Sequence, residues 1–441
     1  MLQFRRVSLT LLLCLFAVLP QGTTSRLTGV VNDPSGSAVA GATVKLKNQA
    51  TEQIFTTITS GAGTYAFEAV QPGVYTVNVE SAGFNAFAAT GNQVAIGQPT
   101  TVNVTLQVGQ VSNKIEVSGA AEVVQTSTSG NFGNLLVEQQ IRDLPIVGTR
   151  GRNPLQLVDL QPGVVDTQSI TGGGVHVFGS RDRAWNFTLD GIDNNESSTG
   201  GSNFAPIRTN PDSLAEFRVI TSNPTAEYGR SSGAQVALIT RSGSNDFHGT
   251  GFEFYRTPRL NANEWQNNFN GLAKPQFVQH VFGGDLGGPI VKNRTFFFVN
   301  VQALTALNTN VTTRTVYTAQ ARQGILRYVN GGRNGAAGSS APSVDANGNV
   351  LPGLNVQSYN VAANDPARLG LDNTILSTVN AAPLPTRFDL GDGLNTAGYV
   401  FSAGQQERQH DIVFKIDQII NEHNTFYARG AFGEQDTNCD A

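Results

Sequence analysis

Apolar and polar residues alternate in short runs between residues 26 and 109, and each run ends at a turn-forming residue. This period-two pattern is typical of strands with one buried face, and six or seven such strands predict a small antiparallel β-sandwich. The predicted strands begin at Arg26, Ala42, Ile54, Gly63, Gly73 and Thr100.

A second region, residues 120–241, mixes strand patterns with two short helical ones. The helices are predicted at 138–145 and 154–163, where Pro145 and Pro162-Gly163 would stop them. Strands are predicted at 185–189, 215–220 and 235–240, and Asp190-Gly191 supplies a tight turn after the first of them. The pattern predicts an α+β domain.

After Arg241 the strands become longer and richer in phenylalanine. The clearest case is 411–417, where Ile412, Phe414 and Ile416 share one face and Val413, Lys415 and Asp417 the other. An apolar outer face opposite a mostly polar inner one is typical of membrane-spanning β-strands. Residues 303–406, rich in Asn, Gly and Ala, predict a long loop. The predicted fold class is mainly β.

The N-terminus has the pattern of an export signal. Arg5-Arg6 precedes the apolar run 7–19, and small residues follow, so residues 1–25 are predicted to be a signal peptide. No later stretch is apolar enough for a spanning helix, so any later membrane crossing must use strands. Cys14 and Cys439 are the two cysteines, which leaves the region between them without a disulfide.

Charge excludes one class of partner. The 441 residues carry a formal net charge of −4 and a pI near 5.8, which gives no attraction to nucleic acid. We therefore expect no nucleic-acid binding.

Three sequence segments resemble Oar-like TonB-dependent outer-membrane receptors: Asn186-Phe-Thr-Leu-Asp-Gly-Ile-Asp193, Ala226-Glu-Tyr-Gly-Arg-Ser-Ser-Gly233, and Phe282 to Phe298. The resemblance implies an α+β plug domain at 120–241 and the first strands of an outer-membrane β-barrel at 242–441. It also implies a plug signature of structural residues: Asn186, Asp190, Gly191, Asp193, Glu227, Tyr228 and Gly229.

The sandwich region has its own resemblance. Leu27-Thr-Gly-Val-Val31, Gly63-Thr-Tyr-Ala-Phe67 and Gly73-Val-Tyr-Thr-Val77 are similar to the carboxypeptidase regulatory-like domain, which has a transthyretin-like sandwich. That resemblance implies a possible carbohydrate partner. The alternative is a periplasmic spacer, because a shared fold does not by itself carry function.

Residues 110–125 are predicted to form a linker that carries the binding segment for a TonB-type energy-coupling protein. Lys114, Ile115, Glu116, Val117 and Ser118 resemble the TonB box of these receptors, although Ser118 replaces the usual Val. Such an extended segment can add as a strand to the edge of a partner's sheet. The alternatives are a plain linker or a last strand of the sandwich.

Other chemistry has weaker support. Gly229-Arg-Ser-Ser-Gly233 matches a nucleophile-elbow pattern with Asp246 and His248 downstream, but the sequel is a strand and the elbow requires a helix. Asp190 to Glu196 lacks the spacing of a calcium loop, and the five histidines lack metal-ligand spacing. We expect no enzyme activity, no catalytic residue, no metal and no cofactor.

Length sets a further expectation. A 22-stranded barrel needs roughly 220 residues in strands alone. Only five strands are predicted after Arg241, so we expect the barrel to be incomplete. The chain is therefore expected to be an N-terminal portion of a longer receptor. The predicted function is TonB-dependent transport at the cell outer membrane, in contact with its lipid, with the sandwich in the periplasm. The alternative is a surface binding or adhesion protein without transport.

Overall fold

The computed structural model describes residues 23–109, 114–118, 131–144, 152–166, 175–181, 184–195, 209–224, 228–229, 231–263, 265, 268, 274–422 and 424–439. The signal-peptide prediction falls almost wholly outside these residues. Strands dominate the described chain, which confirms the predicted mainly β fold class.

The sandwich consists of two sheets around one apolar core. Leu27, Val44, Leu46 and Val77 are fully buried in it, because alternate residues of each strand point inward. One sheet has the strand order β4-β1-β7, with β8 also pairing with β1, and the other has the order β3-β2-β5-β6-β9. The strands are β1 (Ser25–Asn32), β2 (Thr43–Asn48), β3 (Ile54–Ile58), β4 (Thr64–Val70), β5 (Gly73–Glu80), β6 (Ala86–Val94), β7 (Thr100–Thr101), β8 (Val104–Thr105) and β9 (Lys114–Ser118).

Three details of the sandwich differ from the sequence prediction. Strand β6 was not predicted, and the run at 100–106 forms two short strands that pair parallel to β1. Strand β9 lies in the stretch predicted as a linker and pairs parallel to β6, with Glu116 opposite Ala88. The backbone of residues 114–118 is therefore part of a sheet, as expected if these residues form the last strand of the sandwich.

The region predicted as the plug, here called the plug domain, is an α+β unit. Its main sheet has the order β10-β15-β16-β13-β14, in which β13 and β16 run parallel. The α-helix ends at Asp143, and the next residue, Leu144, is extended because the α conformation is unfavourable before Pro145. The elements are β10 (Phe132–Val137), α1 (Glu138–Asp143), a 3₁₀ helix (Pro154–Leu160), β11 (Val164–Asp166), β12 (Val175–Val177), β13 (Asn186–Leu189), β14 (Ile192–Asp193), a second 3₁₀ helix (Pro211–Ser213), β15 (Leu214–Ser222) and β16 (Gln235–Thr240).

The five predicted membrane strands form one sheet of order β17-β18-β19-β22-β23, and it does not close into a barrel. The facing predicted for 411–417 is confirmed: Ile412, Phe414 and Ile416 are exposed, whereas Val413 and Lys415 are buried. The strands are β17 (His248–Arg256), β18 (Phe277–Val291), β19 (Thr295–Tyr317), β22 (Thr396–Ile419) and β23 (Thr425–Cys439).

The loop predicted at 303–406 is shorter than expected. Strand β19 continues to Tyr317 and β22 begins at Thr396, so the connection covers residues 318–395. It is also folded, because the Asp392 carboxylate accepts the backbone N–H groups of Leu394, Asn395 and Thr396. It contains α2 (Ala319–Arg322), β20 (Ile325–Val329), β21 (Val356–Asn360) and α3 (Asn373–Ala381).

The chain divides into two compact units. The first comprises the described residues up to Phe254, together with Val281–Leu304 and Gln409–Gln435, and so contains the sandwich, the plug domain and part of each membrane strand. The second comprises Tyr255–His280, Thr305–Arg408 and the residues from Asp436 onward. Among the described residues, no helix has the length and apolar character needed to cross a membrane.

Candidate functional site: buried charges of the plug domain

Asp190 connects the plug domain to β23. It occupies the turn between β13 and β14 with a φ of 49°, and it is only 3% exposed. Its carboxylate accepts the backbone N–H of Thr240 at 2.8 Å and the Thr240 hydroxyl at 2.6 Å. The same carboxylate lies 3.1 Å from Nε of Arg429, and the Tyr427 hydroxyl donates to the Asp190 carbonyl at 3.1 Å. One residue thus joins its own sheet to a membrane strand.

Lys415 makes a second contact with the same corner of the plug domain. Its Nζ donates to the Thr240 carbonyl at 3.3 Å and lies 5.3 Å from the centroid of the Tyr427 ring. Asp417 is 3.8 Å from the same Nζ. The inward face of β22 therefore presents charge to the plug domain, while its outward face is apolar.

Arg241, at the end of β16, makes contacts with two more membrane strands. Its guanidinium lies 2.8 Å from Asp285 of β18 and 3.2 Å from Glu138 of α1. It also sits 5.1 Å from the centroid of the Phe298 ring on β19. The second oxygen of Asp285 accepts the Thr250 hydroxyl. This cluster holds the plug domain to β17, β18 and β19.

The 3₁₀ helix before β15 adds further polar contacts. Arg152 donates to the Asp212 carboxylate, and its guanidinium lies 4.2 Å from the centroid of the Phe254 ring. Burial raises the pKa of Asp212, and the Arg152 charge opposes that rise. Asn210 caps the 3₁₀ helix and donates from its amide to Asn300 of β19.

A separate pair of charges on β15 faces the sandwich. Glu216 accepts the backbone N–H of Ile96 at 2.9 Å, and Arg218 donates to the Ile96 carbonyl. Burial raises the pKa of Glu216 to about 7, although the Ile96 hydrogen bond and Arg218 oppose it. Burial also lowers the pKa of Arg218. The Ile96 side chain is fully buried against Ala237 and Ile239 of the plug domain.

The arrangement of these charged pairs is better suited to reversible attachment of the plug domain than to catalysis. Two buried charges lose much of their hydration, so a pair contributes little net stability, whereas removal of one partner is costly. The nucleophile-elbow residues are not assembled: Ser231 donates to the Ala184 carbonyl, and Nδ1 of His248 contacts Ser244 and the Asp246 carbonyl. Within the described part of the chain, no group of three or more His, Cys, Asp or Glu could hold a metal ion.

The comparisons with known proteins agree with this arrangement. Residues 239–440 match the family "Outer membrane beta barrel domain", and residues 26–107 match the "Carboxypeptidase regulatory-like domain". The TonB-dependent transporter Oar of Myxococcus xanthus is 27% identical over 252 residues, which are 55% of this chain and 23% of that protein. The chain is thus similar to the Oar-like TonB-dependent outer-membrane receptors. The chain matches less than a quarter of the length of that relative.

Solved structures add only weak likenesses. The siderophore receptor PirA of Acinetobacter baumannii is 14% identical, with 68% of this chain and 44% of PirA covered and a TM-score of 0.29. The group B streptococcus pilus 2b backbone protein is 18% identical over 20% of this chain and 42% of its own, with a TM-score of 0.17. At such scores neither likeness carries an argument. The match to an outer-membrane β-barrel domain and the likeness to Oar indicate that the protein lies in the outer membrane.

Four of the predicted plug-signature residues lie together in the β13–β14 hairpin. Asn195 joins Asn186 and Asp193, since its amide donates to the side-chain oxygens of both, and Gly191 has a φ of 77° that completes the turn. Asp190 is the member that reaches a membrane strand. Tyr228 and Gly229 lie between β15 and β16 in the sequence, and Glu227 lies outside the described residues.

The TonB-box candidate of the receptor is at the sandwich edge. In the described chain β9 ends its sheet, and no strand pairs with its outer side. Glu116 and Val117 are exposed, Val117 by 45%, while Ile115 is half-buried. Only the backbone of Lys114 and Ser118 is described. The box assignment remains a prediction.

Several of the buried charges at these contacts were not predicted from the sequence. Glu216 and Arg218 alternate with Phe217 and Val219, a pattern that predicts a solvent face, yet that face meets the sandwich. The charges on Arg152, Asp285 and Arg429 likewise have partners far away in the sequence. The sequence feature that could have indicated these contacts was a charged residue inside a predicted strand or at its end.

Proposed function

We propose that this receptor carries out energy-coupled transport across the outer membrane, with the plug domain as a releasable stopper among the barrel strands. The observation that carries the proposal is the ionic attachment of the plug domain through Asp190–Arg429 and Arg241–Asp285. Such pairs fix one geometry at low net stability, so a modest pull can separate them. If the plug domain closed the barrel permanently, we would expect apolar packing between the plug domain and the barrel strands instead.

The proposed attachment site for a TonB-type energy-coupling protein is the outer edge of β9. That edge offers main-chain N–H and C=O groups, and a partner strand can pair with them. Exposed Val117 and Glu116 would supply the side-chain contacts. The apolar outer face of β22, with Ile412, Phe414 and Ile416, is proposed to meet lipid.

Carbohydrate binding by the sandwich has less support. Sugar platforms use exposed aromatic rings, whereas none of the aromatic side chains between residues 23 and 109 is exposed. The contact of Ile96 with the plug domain also distinguishes the sandwich from a free spacer. We therefore assign no sugar site to it.

The test uses binding of the purified C-terminal domain of a TonB protein to the full chain in detergent. Val117→Pro removes a main-chain N–H from β9 and should weaken binding about tenfold or more. Thr56→Pro is the matched control, because it makes the same change in β3, the opposite edge of the same sheet. Equal binding by both variants would remove β9 as the attachment site and favour a surface binding protein without transport.

A further inference from the structure

The sandwich contacts the plug domain through the loop after β6. Glu216 and Arg218 hold the N–H and C=O groups of Ile96, and the Ile96 side chain is buried against β16. At the next residue, a Cβ atom on Gly97 would come 2.5 Å from the Tyr228 hydroxyl. We call Ile96, Gly97, Glu216, Arg218 and Tyr228 the Ile96 latch.

The latch lies close to the TonB-box candidate through the sheet. Strand β9 pairs with β6 residue for residue, from Ala86 opposite Lys114 to Thr90 opposite Ser118. Strand β6 ends at Val94, two residues before Ile96. A load along β9 shears it against β6, where several backbone hydrogen bonds share the load, and β6 passes it to the latch.

Beyond the latch, β15 leads to the contacts that hold the plug domain in place. Its preceding 3₁₀ helix contains Asp212 and is capped by Asn210, which contacts Asn300 on β19. Its neighbour β16 ends at Thr240 and Arg241, the partners of Asp190, Lys415 and Asp285. Strand β15 therefore lies between the latch and the membrane-strand contacts.

We propose that the sandwich transmits force to the plug domain, from β9 through β6 and the Ile96 latch to β15. The inference rests on the proposed function in taking β9 as the strand that is pulled. Residues 119–131 offer a second, covalent route from β9 to β10, and it can extend to about 45 Å before it carries load. The experiment has to separate these two routes.

The first measurement asks whether the latch holds the two domains together. Spin labels at Thr56→Cys and Leu160→Cys, both exposed, report the distance from the sandwich to the plug domain in the full chain, with Cys14 and Cys439 replaced. Wild type should give one narrow distance distribution. Glu216→Ala and Gly97→Ala should broaden it, whereas Glu216→Gln keeps an oxygen for the Ile96 N–H and should not.

Gly83→Ala is the control for Gly97→Ala. Both glycines have positive φ, 86° and 57° respectively, so both substitutions strain the backbone, but a Cβ on Gly83 has no atom within 4 Å. A narrow distribution in Gly97→Ala and Glu216→Ala would overturn the latch. Because the two variants change different domains, a folding failure of one still leaves the other as a test.

The second measurement pulls on single molecules in a supported bilayer through a handle at Asn113→Cys, without any TonB protein. Wild type should show a high-force first rupture, and Glu216→Ala and Gly97→Ala should lose it, while Glu216→Gln and Gly83→Ala keep it. An unchanged first rupture in the latch variants would show that force follows residues 119–131 instead. Since the handle replaces the partner, failure of the TonB-binding test leaves this result independent.

Discussion

The sandwich and the plug domain bury different chemistry. Between residues 23 and 118 the buried polar residues are uncharged, namely Ser25, Asn48, Thr59 and Asn92. The plug domain buries six charged residues: Arg152, Asp190, Asp212, Glu216, Arg218 and Arg241. Both domains have a buried apolar core, but the plug domain also buries charges whose partners are supplied by other elements. The buried charges therefore attach the plug domain to its neighbours, while its own apolar core holds the domain together.

The largest expected effect is the loss of one plug charge. Asp190→Ala leaves Arg429 without its carboxylate and Thr240 without its acceptors, so the plug domain should lose about 3–5 kcal/mol of stability. Urea unfolding followed by the fluorescence of buried Trp185, in a Trp265→Phe background, measures it. Asp193→Ala, an exposed position in the same hairpin, is the control. Equal costs at the two positions would contradict the dependence on buried charge.

In the sandwich, truncating a buried apolar side chain should lower the stability much more than removing a surface charge. Leu46→Ala opens a cavity at a fully buried position and should cost about 2–5 kcal/mol. Lys45→Ala, one residue away, removes only an exposed ion pair with Glu80 and should cost less than about 1 kcal/mol. Circular dichroism melts of residues 23–118 compare the two. A larger loss of stability from Lys45→Ala than from Leu46→Ala would contradict the conclusion that apolar burial, and not charge, stabilises the sandwich.

The Glu216 contact should make the plug domain less stable as the pH rises. The folded pKa of about 7 lies above the ordinary glutamate pKa of 4.5, so between these pH values the folded state holds a proton that the unfolded state has released. The stabilisation is complete below pH 4.5 and is lost as the pH rises to 7, a change of roughly 3 kcal/mol. Urea midpoints from pH 5 to 8 measure it. Glu216→Gln should flatten this dependence, and an unchanged slope would assign it to another group.

The smallest expected effect concerns the boundary of the sandwich. A fragment ending at residue 109 lacks β9, whereas one ending at 118 keeps the strand paired with β6. Both should fold, since β9 adds no residue to the buried apolar core. The shorter one should be less stable by about 1–2 kcal/mol, because edge hydrogen bonds each contribute little net free energy. Identical melting temperatures would mean that β9 binds the sandwich too weakly to transmit force.

Local patterns determined much of the fold. The strand-like run at 235–240 located Gln235–Thr240. Alternation predicted the outward face of β22, since a strand places successive side chains on opposite faces whatever surrounds it. Asp190-Gly191 predicted the turn, because few residues other than glycine and aspartate or asparagine accept the positive φ values found there. These features depend on residues only a few positions apart.

Tertiary structure decided what each polar face meets. Residues 303–317 were predicted to be part of a loop, but they belong to β19, which pairs with β22 about a hundred residues later. Glu216 and Arg218 alternate as solvent-facing residues would, yet they hold Ile96, 120 and 122 positions earlier. A backbone group or a charge needs a partner when water is removed, and the pattern of one strand does not specify which distant segment removes it.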